Sequence, residues 1–283
     1  MSIAIPGGNT TLLTQEIAKI LVQPLQQAST FLAAGPIIMD SASELRVPRI
    51  ASGATANFVA AGAQIADGTV GFDEVTLLPS TLEGLKVLVK MSNELIRQSV
   101  VALEATLQAR LVTDVANALD AALWNGTGTG NTIKGILKHT GIATGDLDLA
   151  DADSLIDGVV KAQTNHVAPT HWAMNATTFG AFRKLKVGTT DNRYIFDPSA
   201  AYAANQYSLL GLPVIITSQI PNNTAALIDF SKVAVARDVD SEVKLLDQTW
   251  GDYDSVGIRV VSRFDVALLQ DKAVTLLTVP AGP

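Results

Sequence analysis

The strongest constraint on the fold is the stretch from Ser99 to Leu137, which predicts one long amphipathic helix that ends at a run of glycines. The spacing of its apolar residues, mostly four apart, is the period of a helix and not of a strand. These residues are Val100, Leu103, Leu107, Leu111, Val115, Leu119 and Leu123. Ser99 is suited to cap the first turn, and Asn125-Gly126 to supply a left-handed exit. A helix over residues 99–124 would be roughly 39 Å long at 1.5 Å per residue, which few compact single domains need.

Composition bounds the kind of protein. The chain has 283 residues, of which 17% are charged and 48% hydrophobic, and this low charged fraction predicts that it buries surface against copies of itself. The net charge of −7 and the lack of a basic stripe in the sequence argue against sequence-specific nucleic-acid binding, because phosphate neutralisation needs clustered Lys and Arg. There is no cysteine, which excludes disulfides and thiolate metal sites.

The sequence also carries no sign of export or membrane insertion. The N-terminal residues show no basic leader followed by an apolar stretch, and no apolar run reaches about 18 residues. We therefore expect a soluble, unexported protein.

Residues 50–78 predict an excursion from the body of the protein. They are rich in Ala and Gly, and two extended runs flank a turn region at residues 62–71. A ribbon of two strands is only marginally stable alone, so this one must lie on a neighbouring subunit or stay mobile. The few anchors available for docking are Phe58, Val59, Ile65, Val70 and Phe72.

The rest of the chain reads as mixed helices and strands, which predicts an α+β fold with a central sheet. Residues 1–11 are expected to form an arm, followed by a short helix from Thr14; residues 138–150 are a turn-rich crossover. A helix capped near Asp153 should turn four residues inward, namely Leu155, Ile156, Val159 and Val160. Another helix is expected at 175–185. Predicted strands are 45–48, 85–91, 171–174, 212–217, 225–230, 233–236 and 243–246, and a hairpin of 257–269 with 273–279 would pack under the long helix.

Three groups of residues invite a chemical interpretation, and each has a simpler one. Gly126, Gly128 and Gly130 follow a helix, whereas a dinucleotide loop follows a strand, so they predict a helix stop. His166 and His171 flank Pro169, with His139 distant and no carboxylate close in sequence; ordinary polar histidines are expected rather than a metal site. The acidic group Asp247, Asp252 and Asp254 lacks the spacing of a calcium loop. No serine elbow or triad is present, so we expect no enzyme, cofactor or metal.

Four motifs in order resemble major capsid proteins of tailed bacteriophages with the Hong Kong 97-type fold. The segment Leu123–Asn131, which closes on Lys134–Leu137, resembles the end of that family's spine helix. Ser92–Leu95 resembles the entry to the spine. The remaining motifs are Arg193–Phe196 followed by Leu210–Val214, similar to the axial-domain signature, and Arg259–Phe264 leading into Val266–Leu269, similar to the peripheral-domain ending.

The resemblance implies a division of the chain. It predicts an N-terminal arm and entry strand at 1–49, an extended E-loop hairpin at 50–78, and a first part of the peripheral domain at 79–150 that holds the spine helix. A mixed α/β axial domain would follow at 151–237, and return strands at 238–283 would complete the peripheral domain.

The resemblance also implies a function. The chain would form hexamers and pentamers of an icosahedral shell around double-stranded phage DNA, without sequence specificity, as a virion component assembled in the bacterial cytoplasm. Separate scaffolding, portal or decoration proteins would be further partners. Two alternatives share some signals: the shell of an encapsulin-type bacterial nanocompartment, and an α+β hydrolase or nucleotide-binding enzyme with an unrecognised site.

Two family features are not matched. The arm begins almost at Met1, so we expect no long cleaved scaffolding segment here. The isopeptide bond of some members joins an E-loop lysine to an asparagine, promoted by a buried glutamate, but residues 50–78 contain no lysine. Phe264-Asp265 stands where that glutamate would fall, and no cross-linking residue is assigned.

Overall fold

The computed structural model contains the predicted long helix together with three shorter α-helices among the described residues. The structure describes residues 29–52, 57–60, 62, 64, 71–94, 103–186, 191–195, 207–238 and 242–280. The α-helices are α1 Thr30–Ala33, α2 Leu103–Asn125, α3 Asp153–Thr164 and α4 Ala176–Arg183. None of the described helices is long and apolar enough to cross a membrane. The predicted arm, the helix from Thr14 and the Ser99 cap lie outside the described residues.

Most strands fall close to their predicted positions. They are β1 Ile37–Asp40, β2 Leu45–Ser52, β3 Gly71–Leu77, β4 Leu85–Ser92, β5 Ala143–Asp146, β6 His171–Met174, β7 Ser208–Leu209, β8 Leu212–Ile216, β9 Thr224–Ile228, β10 Val233–Arg237, β11 Glu242–Trp250, β12 Ser255–Ser262, β13 Phe264–Leu268 and β14 Val274–Thr278. They pair as four sheets: β5-β14-β9-β6-β8-β7, β11-β12-β4, β1-β10-β13 and the two-stranded ribbon β2-β3. The strands β1, β5 and β7 were not predicted, whereas the mixed α+β architecture is confirmed.

The six-stranded sheet separates two hydrophobic cores, because alternate side chains along its strands point to opposite faces. In β6, Trp172 and Met174 face a core closed by α3 and α4, whereas Ala173 faces the core under α2. In β9, Leu227 lies on the first side and Ile228 on the second. Because successive side chains point to opposite faces, a strand covered on both faces must be apolar throughout, and all five residues of β9 are buried.

The long helix α2 buries its predicted face. Leu111, Val115, Leu119 and Leu123 are buried, and Trp124 packs edge-on against Phe31 and Phe230 with ring centroids 4.9 and 6.2 Å away. Asp120, which the period placed on the polar face, is buried as well. Its carboxylate accepts hydrogen bonds from the Ser29 hydroxyl at 2.5 Å and the Thr30 amide at 2.8 Å, so it holds α1 against α2.

The exit of the helix differs from the prediction. Positive φ angles occur at Gly128, Gly130 and Asn131, not at Gly126. Glycine is needed at position 126 because a Cβ there would lie 2.3 Å from the Ile133 carbonyl oxygen. Gly135 crosses the same point and donates its amide to the Gly126 carbonyl at 3.0 Å. The two glycines therefore let the chain turn back directly against the helix end.

Several other local predictions were wrong. The helix α3 has Ala152 as its N-cap, without a side-chain cap, and it buries Leu155, Gly158 and Ala162; Ile156 and Val160 point to solvent, 48% and 52% exposed. A Cβ at Gly158 would lie 2.7 Å from Leu277, so the helix sits too close to the sheet for larger side chains at its centre. The presumed crossover 138–150 contains β5, an edge strand of the large sheet.

The C-terminal hairpin does not form. Residues 257–269 split between β12 and β13, which belong to different sheets, and β14 pairs instead with β5 and β9. Consequently the predicted boundaries at 150 and 237 are not boundaries of the six-stranded sheet, which takes β5 from before 151 and β14 from after 237.

Candidate assembly surfaces

The ribbon of β2 and β3 is buried at its base and exposed towards its far end. Its antiparallel register runs from Leu45 opposite Leu77 to Ser52 opposite Gly71. Leu77 and Leu78 are fully buried, and Val75 packs on the core under α2. Further out, Phe72 is 77% exposed. The apolar packing of the ribbon on its own subunit is thus concentrated at one end.

The predicted anchors are exposed wherever the structure describes them. Phe58 is completely exposed, and Val59 and Phe72 are also exposed. Ile65 and Val70 lie outside the described residues. Large apolar side chains in solvent gain about 1.5–3 kcal/mol each when fully buried, so these positions are suited to contact another surface.

A buried carboxylate holds the base of β3. Leu78 adopts a left-handed backbone with φ 52°, and its amide donates to Asp265 Oδ2 at 2.9 Å. The other oxygen, Oδ1, accepts from the Val266 amide at 2.9 Å. Burial raises the pKa of Asp265, although both amide bonds favour the ionised form. This carboxyl was singled out in the sequence only by its position, and its contact with Leu78 had no sequence signal.

One ion pair and one hydrogen bond tie the two strands of the ribbon to the body of the subunit. The Arg49 guanidinium on β2 contacts Asp271 at 2.5 Å and Asp73 on β3 at 2.7 Å. These hydrogen bonds raise the pKa of Arg49, Asp271 contributing most, and Arg49 lowers the pKa of Asp73. After β3, the Pro79 carbonyl accepts from Arg263 at 3.1 Å. The direction in which the ribbon leaves the subunit is therefore set by contacts on both strands.

The outer face of the sheet β11-β12-β4 is basic, which the sequence did not reveal. The register aligns Leu88 with Arg259 and Lys244, Lys90 with Gly257 and Leu246, and Lys86 with Val261 and Glu242. Four cations from three strands thus share one face, because residues two apart on a strand point the same way. The absence of a basic stripe in the sequence considered only neighbours along the chain, so it did not anticipate cations brought together from three strands.

Aromatic rings at one end of this face position Lys90. Its ammonium lies 5.0 Å from the centroid of the Trp250 ring and 4.6 Å from that of Tyr253. Trp250 can lie flat on the sheet because position 257 is glycine; a Cβ there would be 2.4 Å from the indole. Tyr253 stays largely exposed in the turn Gly251–Tyr253. Leu88, 53% exposed, lies between Lys86 and Lys90 on the same strand.

Comparison with known proteins decides the family. Residues 9–279, nearly the whole chain, match the model of the phage capsid family. The chain belongs to the phage capsid family. Its members are structural proteins of capsids and not enzymes, in agreement with the expectation from sequence.

Individual relatives of this phage capsid family member are distant. The major capsid protein of Klebsiella oxytoca phage phiKO2 is 25% identical over 259 residues, which are 84% of this chain and 58% of that protein. The chain therefore spans little more than half the length of this relative. Among solved structures, the capsid of a native GTA particle is 22% identical with a TM-score of 0.72, over 89% of this chain and 90% of that one. The structure from Mycobacterium phage Adephagia is 19% identical with a TM-score of 0.69, and the match covers 90% of this chain and 91% of that one.

The groups that invited a chemical interpretation have structural roles in this capsid-family fold. His139 Nε2 lies 3.0 Å from the Lys134 carbonyl oxygen, and His171 packs edge-on against Phe230; burial lowers the pKa of both. Asp254 is a left-handed turn residue that accepts from Asn93. Among the described residues, no cluster of three or more His, Cys, Asp or Glu could hold a metal. The glycines after α2 form the turn already described.

Proposed function

We propose that this chain is a major capsid protein that self-assembles into hexamers and pentamers of an icosahedral shell, and that the shell encloses double-stranded phage DNA. The observation that carries the proposal is the ribbon β2-β3, attached at its base and presenting exposed Phe72 and Phe58 beyond it. In the described part of the chain, the Phe58 and Phe72 side chains are exposed and therefore available to a second copy. A repeated head-to-tail contact, with the ribbon of each subunit on the next, closes into rings.

In this proposal the elements take the roles that the family resemblance implied. The ribbon with residues 50–78 is the E-loop and α2 is the spine helix of the peripheral domain. The core between the six-stranded sheet, α3 and α4 is the axial domain, to which β5 and β14 now contribute. Assembly would occur in the bacterial cytoplasm, with scaffolding, portal or decoration proteins as further partners.

Family membership and the phage capsid neighbours favour a virus shell over a nanocompartment or a hydrolase. The relevant experiment is negative-stain electron microscopy with light scattering on the purified chain over a broad concentration range. Rings or closed shells are expected. A stable species near 30 kDa at every concentration would contradict the proposal. The contents of particles made in phage-infected cells separate a virion from a nanocompartment. Nuclease-protected double-stranded DNA would indicate a virion, and a single protein cargo would indicate a nanocompartment.

A further inference from the structure

Two exposed surfaces of the described chain are complementary in both charge and polarity. The first is the basic face of β11-β12-β4, where Leu88 lies between Lys86 and Lys90. The second is the outer side of α3, where Ile156 and Val160 are exposed. Each has exposed apolar side chains beside charged ones, mostly cationic on the sheet face and mostly anionic on the helix.

The outer side of α3 is acidic. Asp153 and Asp157 are exposed and lie three residues before and one after Ile156. Positions 153, 156, 157 and 160 share one side of a helix, because residues three and four apart are neighbours on its surface. The approach to this helix is acidic too: residues 146–157 contain five Asp and no Lys or Arg.

The basic face brings cations of different strands together, since Lys244 stands directly opposite Arg259 in the register of β11 and β12. The aromatic pair of Trp250 and Tyr253 holds Lys90 at the end of this face. An apolar centre with Tyr, Trp and Arg around it is the composition of a protein interface.

We infer that the basic face of β11-β12-β4 receives the acidic outer side of α3 from a second copy of this chain. The inference rests on the proposed function, because assembly of a shell brings many copies of this chain into contact. Leu88 would contact Ile156 and Val160, while the lysines pair with Asp153 and Asp157.

The dimensions are compatible. Lys86 and Lys90 are about 13 Å apart along the strand at about 3.3 Å per residue, and Asp153 and Asp157 are about 6 Å apart along the helix at about 1.5 Å per residue. The flexible lysine arms cover the difference. Since the two surfaces are different patches of one chain, the contact is heterologous and propagates around a ring.

The basic surface does not favour nucleic acid as its occupant. Phosphate contacts need cations but no apolar centre, whereas Leu88 and Tyr253 are exposed here together with the cations. Double-stranded DNA is therefore the competing occupant that the experiment must distinguish.

A charge exchange tests the pairing. The sheet variant carries Lys86→Glu and Lys90→Glu, and the helix variant carries Asp153→Lys and Asp157→Lys. Each alone should raise the critical assembly concentration at least about tenfold, because like charges then face each other. The chain that carries all four changes should return to within about threefold of wild type.

The control has the same change of charge at other exposed lysines, Lys184→Glu with Lys232→Glu, and should leave the threshold nearly unchanged. Thermal melting of unassembled subunits shows whether each variant folds. If both double variants fold and assemble poorly but the fourfold variant does not recover, the two surfaces do not meet. If the sheet variant assembles normally and loses only DNA retention, the face belongs to DNA and the inference is wrong. Wild-type protein that never assembles would instead overturn the proposed function.

Discussion

The Leu78 amide donates a hydrogen bond of 2.9 Å to Oδ2 of Asp265, across 187 positions of sequence. The bond joins the end of the ribbon to β13 at a residue with φ 52°. The same carboxylate holds the Val266 amide. Two backbone donors and one left-handed residue thus depend on a single buried side chain.

Asp265→Asn should lower the free energy of unfolding of the isolated subunit by about 1–3 kcal/mol. Its amide can accept from only one of the two backbone amides and presents a donor to the other. Asp271→Asn, at a more exposed ion pair with Arg49, should cost no more than about 1 kcal/mol. Urea unfolding at neutral pH measures both, and equal losses would show that Asp265 has no special role.

The same substitution should change the pH dependence of stability. Burial raises the pKa of Asp265 above its ordinary value of 3.8, so the native state holds this proton more tightly than the unfolded state. The stability contributed by this group is therefore greatest at low pH and falls as pH rises from about 3.8 through the native pKa. Unfolding of Asp265→Asn should lack this descending component, and superimposable pH profiles for both proteins would refute the prediction.

Gly126→Ala should destabilise the subunit by about 3 kcal/mol, since its Cβ would meet two backbone carbonyl oxygens. Two glycines provide controls. Gly130 has a positive φ but open space, so alanine there should cost about 1 kcal/mol. Gly180 in α4 also has open space, and alanine there should stabilise by about 0.5–1 kcal/mol. Thermal melting should give this order, and a tolerated Gly126→Ala would mean that the turn is not close-packed.

Phe72→Ala should weaken assembly far more than it lowers the stability of the isolated subunit, because the ring is exposed within its own chain. Val75→Ala, on the same strand but packed on the core, should do the reverse. The critical assembly concentration and the melting temperature of unassembled protein are measured side by side. Equal losses in both for Phe72→Ala would show that the ribbon packs within its own subunit.

Mature particles boiled in detergent should run as monomers. Residues 50–78 contain no lysine for the usual isopeptide bond, and the chain has no cysteine for disulfides. A ladder of covalent oligomers on a denaturing gel would contradict this expectation.

The sequence predicted the elements better than their arrangement. The four-residue spacing in α2 and the apolar runs of β9 and β10 reflect local burial, so they predict helix and strands directly. Nothing local indicates that β14 inserts between β5 and β9, or that the chain changes sheets between β12 and β13. Such pairings are set by long-range packing.

The same limit applies to the candidate surfaces. Phe58 and Phe72 were predicted as exposed anchors because their stretch lacks a core, and both are exposed. That they dock on a neighbour stays a prediction. The basic face could not be predicted from the sequence, because Lys86, Lys244 and Arg259 come from three separate strands. Asp265 was noted only because Phe264-Asp265 stands where the buried glutamate of some family members would fall, and nothing in the sequence indicated its bond to Leu78.

The place of β14 also matters while the chain is being made. Among the described strands, the edge strand β5 pairs only with β14, which a ribosome produces more than a hundred residues later. A nascent chain can already contain β6, β8 and β9, but β9 lacks its neighbour β14 until residues 274–278 emerge. Because contacts of such long sequence separation form late, an incomplete chain stays unable to present a finished surface. Subunits would thus join a growing shell only after synthesis has passed this strand.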